Sequence, residues 1–436
     1  MIIQPVTSTS SRGKELLATL NDRFQLADPK CREIVGDIIS RVRRSGDEAL
    51  LEYTHKFDAP EMDLAGLRAT EGEITAAYGQ VDDTILASIR LAKERIWQFH
   101  QREMEESWMM TRPDGTITGR LVQAVASAGL YVPGGQGGKT PLVSSVLMNG
   151  IPAAIAGVKK RVMMTPPAAD GSVHPALLVA AREIGISEIY KVGSAWAIAA
   201  LAFGTETVPA VDVIVGPGNQ FVAEAKRQVM GRVRIDMIAG PSEVLIIADE
   251  QAKAASCAAD MLAQAEHDPQ ALAILLTTSA RLAEETVAEL EKQLPLLSRE
   301  EIARTSLAER GAIVVCTDLD EAMALANDIA IEHLELMVAE PFLLLGKVEH
   351  AGAVFLGNYS PEACGDYVAG PNHVLPTMGT ARISSALGVE TFLKKSSIIA
   401  YSREAFLADA EHIQALANLE GLTAHARSVA VRLADK

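Results

Sequence analysis

The sequence predicts an α/β protein with two parallel sheets and helical extensions at both ends. Two observations carry that prediction. From about residue 120 onward, short apolar runs alternate with longer helical patterns, as in consecutive βα units. The runs are continuously apolar, as strands buried on both faces must be. Taken in order, residues 14 to about 110 read as helices, with charges and apolar residues at helical spacing in ELLATLNDRF, REIVGDIISRVRR and TILASIRLAKERIWQFHQ. Ser45-Gly46-Asp47 breaks two of them, and Pro113-Asp114-Gly115 ends the helical region in a turn. Four βα units follow. Their strands are VASAGLYVP, RVMMTPP, EIYKVG and VDVIVG, and their helices LVSSVLMNGIPAAIAG, HPALLVAAREIG, SAWAIAALAFG and NQFVAEAKRQVMG. Ala239-Gly240-Pro241-Ser242 turns into a second α/β block. There VLIIADE, ALAILLTTS, AIVVCTD, LELMVAE and AGAVFLG are strands, with QAKAASCAADMLAQAEH and RLAEETVAELEKQL as helices. From about 388 the chain returns to helix in VETFLKKSS, SREAFLADAEHIQALANLEGL and TAHARSVAVRL. The expected division is an N-terminal arm at 1–27, a first α/β domain at 28–130 plus 241–387, a second at 131–240, and a helical tail at 388–436.

Composition narrows the function classes. The chain has 436 residues, enough for two to four domains at about 100–200 residues each. Hydrophobic residues make up 48% and aromatics 4%, so the cores are aliphatic. With 40 basic and 56 acidic residues the net charge is −16, which argues against nucleic acid and against anionic membrane surfaces. The basic runs Arg41-Val42-Arg43-Arg44 and Lys159-Lys160-Arg161 are short and read as solvated faces. Cys31, Cys257, Cys316 and Cys364 lie far apart, without metal-ligand spacing, which fits a reducing cytoplasm. The first residues hold no apolar secretory core, and no run reaches the ~18 apolar residues a bilayer span needs.

Individual motifs are weak alone. The loop Pro133-Gly134-Gly135-Gln136-Gly137-Gly138-Lys139-Thr140 resembles a P-loop, but proline stands where the first glycine must be. It remains a turn or an anion-binding loop. Gly216-Pro217-Gly218-Asn219 follows a strand and opens a helix, the right context for a dinucleotide turn, yet Phe221 replaces the third glycine. Gln264 and His267 are three residues apart on an amphipathic helix and so share a face. Glu332-His333 sits between a helix and the strand LELMVAE, and a carboxylate beside an imidazole can serve as two bases. GDYVAGPNHVLPT gathers Asp366, Asn372 and His373 among Gly and Pro, a rigid polar loop of the kind that binds ligands. Cys364 beside it reads as a small buried packing residue. Glu420 and His425, five residues apart across Gly421, need not share a helical face.

In combination and in this order, GLYVPGG, AIAALAFGTETVP, VDVIVGPGN, IDMIAGPSEVLIIAD, QAEH, EHLEL, GDYVAGPNHVLPT and EGLTAHA resemble the histidinol dehydrogenase family, over nearly the whole chain. The resemblance implies two incomplete Rossmann-like domains, in accord with the broken glycine fingerprints, with 131–240 as the NAD-binding one. It implies oxidation of L-histidinol through L-histidinal to L-histidine, each step passing a hydride to NAD. It implies one zinc per subunit held by Gln264, His267, Asp366 and the partner subunit's His425, hence a homodimer with shared sites. Ser242 and Glu420 are expected to hold the substrate with those four ligands, and His373 to lie in the same pocket. Glu332 is expected to activate water, and His333 to touch the substrate and take its protons. Tyr131 and Asn219 match positions that contact NAD.

Two departures stand out. Trp196 replaces a glutamine expected at the NAD site, and Ile331 stands where proline usually precedes the Glu-His pair. The nearest rival is a related zinc- and NAD-dependent dehydrogenase of another small polar alcohol, such as sulfopropanediol. A nucleotide switch built on the 133–140 loop and a non-catalytic dimeric scaffold are the readings from other classes.

Overall fold

The computed structural model describes residues 2–23, 28–134 and 140–434. The strands, in chain order, are β1 (Val6–Thr7), β2 (Trp108–Thr111), β3 (Ile117–Ala124), β4 (Ser127–Tyr131), β5 (Lys160–Thr165), β6 (Glu188–Lys191) and β7 (Val213–Val215), then β8 (Arg234–Ile235), β9 (Glu243–Ala248), β10 (Leu272–Thr277), β11 (Ala312–Val315), β12 (Ile331–Met337), β13 (Ala351–Leu356) and β14 (Leu393–Ala400). They divide between two units, Met1–Glu103 with Ala126–Phe392, and Met104–Val125 with Leu393–Lys436.

The first unit holds both expected parallel sheets. One runs β6-β5-β4-β7-β8, which is the Rossmann order 3-2-1-4-5 when β4 is taken as the first strand. The other runs β1-β11-β10-β9-β12-β13, also parallel throughout. Its central strand β9 is apolar on both faces. Val244, Ile246 and Ala248 pack on one side with Met261, Leu282 and Leu307. Leu245 and Ile247 pack on the other with Met323, Ile329 and Leu344.

Packing groups the N-terminal segments differently from the expected division. The helix Pro29–Phe57 places Val35, Ile38, Val42 and Leu50 in one core with Met164, Ile198 and Leu201 of the β4 sheet, not with residues 241–387. Its apolar stripe fits an aliphatic sheet face of either half, so sequence periodicity could not choose between them. The expected break appears at Gly46, with φ +50, and the Glu206 carboxylate receives the Asp47 N–H at 2.8 Å. Within 1–27, β1 pairs with β11, and Leu17 and Leu20 join the β9 core.

The second unit is an antiparallel sheet, β14-β3-β2, with the helices Arg403–Leu419 and Thr423–Ala434. VETFLKKSS is therefore not helix. A short 3-10 turn, Val389–Phe392, leads into β14, so the tail is not wholly helical. Lys394, Lys395, Ser396 and Ser397 are all exposed, so this edge strand shows no alternation that a sequence reading could detect.

Candidate active site

Glu332 and His333 lie inside β12, as its second and third residues, and not in a loop before it. The preceding helix Leu319–Ile329 ends at Ala330 in a left-handed turn, φ +51, and the chain enters the strand at once. Both side chains thus stand at the N-terminal edge of the β9 sheet, opposite to the strand ends where open α/β sheets usually bind ligands. The Glu243 N–H donates to Glu332 Oε2 at 2.7 Å. His333 Nδ1–H donates to the Glu243 carbonyl at 3.0 Å, which fixes the tautomer and leaves Nε2 as an acceptor without a protein partner. Ile331 is fully buried and pairs with Ala351, so the strand and the Glu243 N–H aim Glu332 without a proline.

Burial sets the charges. It holds the Glu332 carboxyl well above the usual carboxylate range, and pushes His333 down to about 3, so this imidazole is neutral. His373 is pushed down to about 4 by the same cause. Its Nδ1 lies 3.8 Å from Asp366, whose carboxyl burial lifts to about 6.

Gln264 closes the helix Ala254–Ala265, and His267 lies just past its end, not on it. Pro269 cannot continue the helix. A tight turn, His267 N–H to the Gln264 carbonyl at 3.2 Å, still keeps the two side by side along the chain. Gln264 is fully buried, and neither of its amide atoms has a partner, which is costly unless something else binds them. His267 and Asp366 come together with Glu362, their ligand atoms all within 4.8 Å of one another. Two carboxylates and an imidazole at that spacing suit zinc, and the orphaned Gln264 amide belongs to a residue three positions before His267. Glu362 was not anticipated. It lies four residues before Asp366 on the helix Glu362–Tyr367, and that spacing on one helical face was the available signal. Its carboxylate is also 3.7 Å from His333 Nδ1. The helix lies close over β13 because residue 365 is glycine; a Cβ there would meet the Phe355 ring at 2.7 Å.

A cavity of about 480 Å³, in the range for small-molecule sites, is lined by His333, Phe355, Cys364, Asp366, His373 and Leu375. Cys364 is thus half-exposed on the cavity wall rather than buried. Asn372 is occupied structurally, donating to the Met148 carbonyl at 2.8 Å and accepting from Val374. Ser242 directly precedes β9 and is half-buried. Glu420 and His425 belong to the second unit and are exposed there: Glu420 ends one helix, and His425 lies in the first turn of the next.

The two positions expected at NAD flank the point where the other sheet reverses its strand order, between β4 and β7. Tyr131 ends β4, and its buried hydroxyl accepts the Ser194 N–H at 3.0 Å. Asn219 caps the helix Gln220–Val229, accepting from Phe221 and Val222 at 3.0 and 3.2 Å. Gly216 has φ +115, and a Cβ there would lie 2.1 Å from the Tyr131 carbonyl oxygen, so only glycine fits. Trp196 is buried and stacks on the half-buried Tyr53 and the exposed Phe57, ring centroids 5.5 Å apart in each pair. Of the 133–140 loop, residues 135–139 lie outside the described residues.

The sequence model of the histidinol dehydrogenase family matches residues 21–433. Histidinol dehydrogenase of Desulfotalea psychrophila is 65% identical over 433 residues, covering 99% of this chain and 100% of that protein. The enzyme of that name from Halalkalibacterium halodurans is 53% identical over 426 residues, covering 96% and 99%. The crystal structure of histidinol dehydrogenase from Elizabethkingia anophelis matches with a TM-score of 0.92 at 38% identity, over 99% of this chain and 98% of that one.

Proposed function

The chain belongs to the histidinol dehydrogenase family, and from that premise we propose how its own residues oxidise L-histidinol to L-histidine, the last step of histidine biosynthesis. The observation that carries the mechanism is the pair of bases held by the main chain of one residue: Glu243 holds Glu332 by its N–H and His333 by its carbonyl.

His333 Nε2 takes the hydroxyl proton of the alcohol as the carbinol hydride departs, giving the aldehyde. His333 then returns its proton to the aldehyde oxygen while Glu332 takes one from the attacking water, giving the hydrate and a neutral imidazole. His333 accepts the hydrate's proton as the second hydride departs. One water is consumed, and two hydrides leave. Burial keeps His333 neutral at rest and raises the proton affinity of Glu332. NAD would bind in the crevice at Tyr131, Gly216 and Asn219 and would supply the hydride acceptor. Gln264, His267 and Asp366, with His425 of the partner subunit, would hold zinc, which would supply an electrophilic anchor for the amino alcohol. Ser242, His373 and Glu420 complete the substrate's polar contacts, and Glu362 lies beside the metal set.

The homodimer is part of the same proposal. The second unit leaves Trp108, Met109, Met110, Ile399, Leu416 and Leu419 exposed, apolar surface that a second copy would cover. A cytoplasmic location agrees with four unpaired thiols. Among the described residues, no helix is long and apolar enough to cross a membrane. The net charge of −16 supports a small-molecule substrate over nucleic acid.

The test is NADH formation by zinc-loaded protein given limiting L-histidinol and excess NAD. Two NADH and one histidine per histidinol are expected, with loss on chelation and return on adding zinc. A dimeric, zinc-bound sample that does not turn over would overturn the assignment.

A further inference from the structure

Arg23 follows the helix Ser11–Asn21 and is buried, its side chain 5% exposed. All five of its N–H groups find acceptors. Nε and Nη2 grip the Glu243 carboxylate at 2.6 and 2.8 Å. Nη1 donates to the Leu20 and Ile329 carbonyls at 3.0 and 2.6 Å, and Nη2 also to Ala330 at 3.3 Å. One guanidinium therefore ties together the first residue of β9 and the turn that leads into β12.

Those are the two places that aim the bases. The Glu243 main chain holds Glu332 and His333, and Ala330, in its left-handed conformation, lies two residues before Glu332. The β9–β12 ladder begins only at His333 and Val244, so pairing between these two strands does not join Glu243 to Glu332, each being held by ladder pairing only on its outer side, Glu243 to Leu272 and Ile331 to Ala351. A buried Arg–Glu pair is poor evidence of stability, since apolar residues of similar volume often serve as well. Apolar residues would not orient the Glu243 main chain.

We propose that Arg23 is a positioning residue for the reaction, setting both bases through its bidentate grip on Glu243 and its hold on the 329–330 turn. The inference rests on the reading of Glu332 and His333 as the proton acceptors. Lysine cannot supply the planar fork, so Arg23→Lys is expected to lower kcat about 10-fold. The double variant Arg23→Met with Glu243→Gln leaves no unpaired buried charge. Its kcat is expected to fall about 100-fold, the scale of a base misplaced by about 1 Å. KM for histidinol, zinc content and NAD affinity should stay within about 2-fold, a split that general loss of folding would not produce. Guanidinium added to Arg23→Ala is expected to restore part of kcat.

Glu332→Gln and His333→Asn are assayed alongside. If those two keep wild-type rates, the reading of the bases fails. If they lose activity while the double variant keeps wild-type kcat, the clamp is overturned and the bases stand. Should the double variant show no thermal unfolding transition, Arg23→Lys decides, and wild-type kcat there overturns the proposal.

Discussion

The edge of the β9 sheet and the Gly216 turn of the β4 sheet are built on the same kind of scaffold, yet they treat polar groups in opposite ways. Around Gly216 most polar groups are paired, the Asn149 Oδ1 being the exception. Lys226 donates to the Gly216 carbonyl at 2.9 Å and forms a buried ion pair with Asp236, which accepts the Gly216 and Met237 N–H groups. Tyr131 and Asn219 are also engaged. At the β9 edge, by contrast, Gln264, His333 Nε2 and Glu362 Oε2 are buried without partners. Each unpaired buried group costs about 1–3 kcal/mol. The turn is largely complete as it stands, its shape set by backbone. The edge stays incomplete until something binds or reacts there.

The largest expected effect tests that difference at the incomplete edge. His333→Asn should lower kcat for histidinol about 10³-fold or more, as loss of a general base does. Glu332→Gln should separate the two steps. The first NADH forms near the normal rate, and the second is slowed about 10³-fold, so histidinal accumulates in stopped-flow traces with a carbonyl trap. Equal slowing of both steps would show that Glu332 only supports His333, and the edge would then hold one base, not two.

The same contrast explains how much could be read in the sequence. Strands β4, β5, β6, β7, β9, β10 and β11 were legible because double burial makes them continuous apolar runs. The Gly216 turn was legible because a close backbone approach demands glycine. The edge was legible only as separate fragments, since its parts meet through space. Arg23 and Glu243 are 220 residues apart, and a lone arginine after a helix carries no signal. Glu362 had a signal, its i, i+4 relation to Asp366, that was overshadowed by the loop after it. β2, β3 and β14 were illegible for another reason: their mixed exposure leaves no clear period to detect.

A smaller effect probes the more complete turn. Removing Lys226 alone would strand Asp236, so the informative variant is Lys226→Met with Asp236→Asn. It should raise KM for NAD about 10-fold while leaving kcat and zinc content unchanged, because the turn loosens but the bases do not move. A fall in kcat at saturating NAD would mean that the turn also orients the hydride acceptor, and it would not be merely a binding surface.

The smallest effect concerns Asp58, one of several residues in the β4 half that keep a buried polar atom without a partner. Asp58 caps the C-terminus of the helix Pro29–Phe57, where a negative charge opposes the helix dipole. Its Oδ2 is buried without a partner, 3.4 Å from where a Cβ on Gly193 would lie. Burial lifts its carboxyl from 3.8 to about 6. Between those values the native chain holds a proton that the unfolded chain has released, so this residue makes stability fall as pH rises from about 4 to about 6. Asp58→Asn removes the penalty. It should stabilise the protein at pH 8 by about 1–2 kcal/mol and flatten the melting temperature across that acidic range, with KM for NAD unchanged. If the variant instead raises KM for NAD, Asp58 is kept unpaired for a ligand's hydroxyl, and the two regions differ in degree rather than in kind.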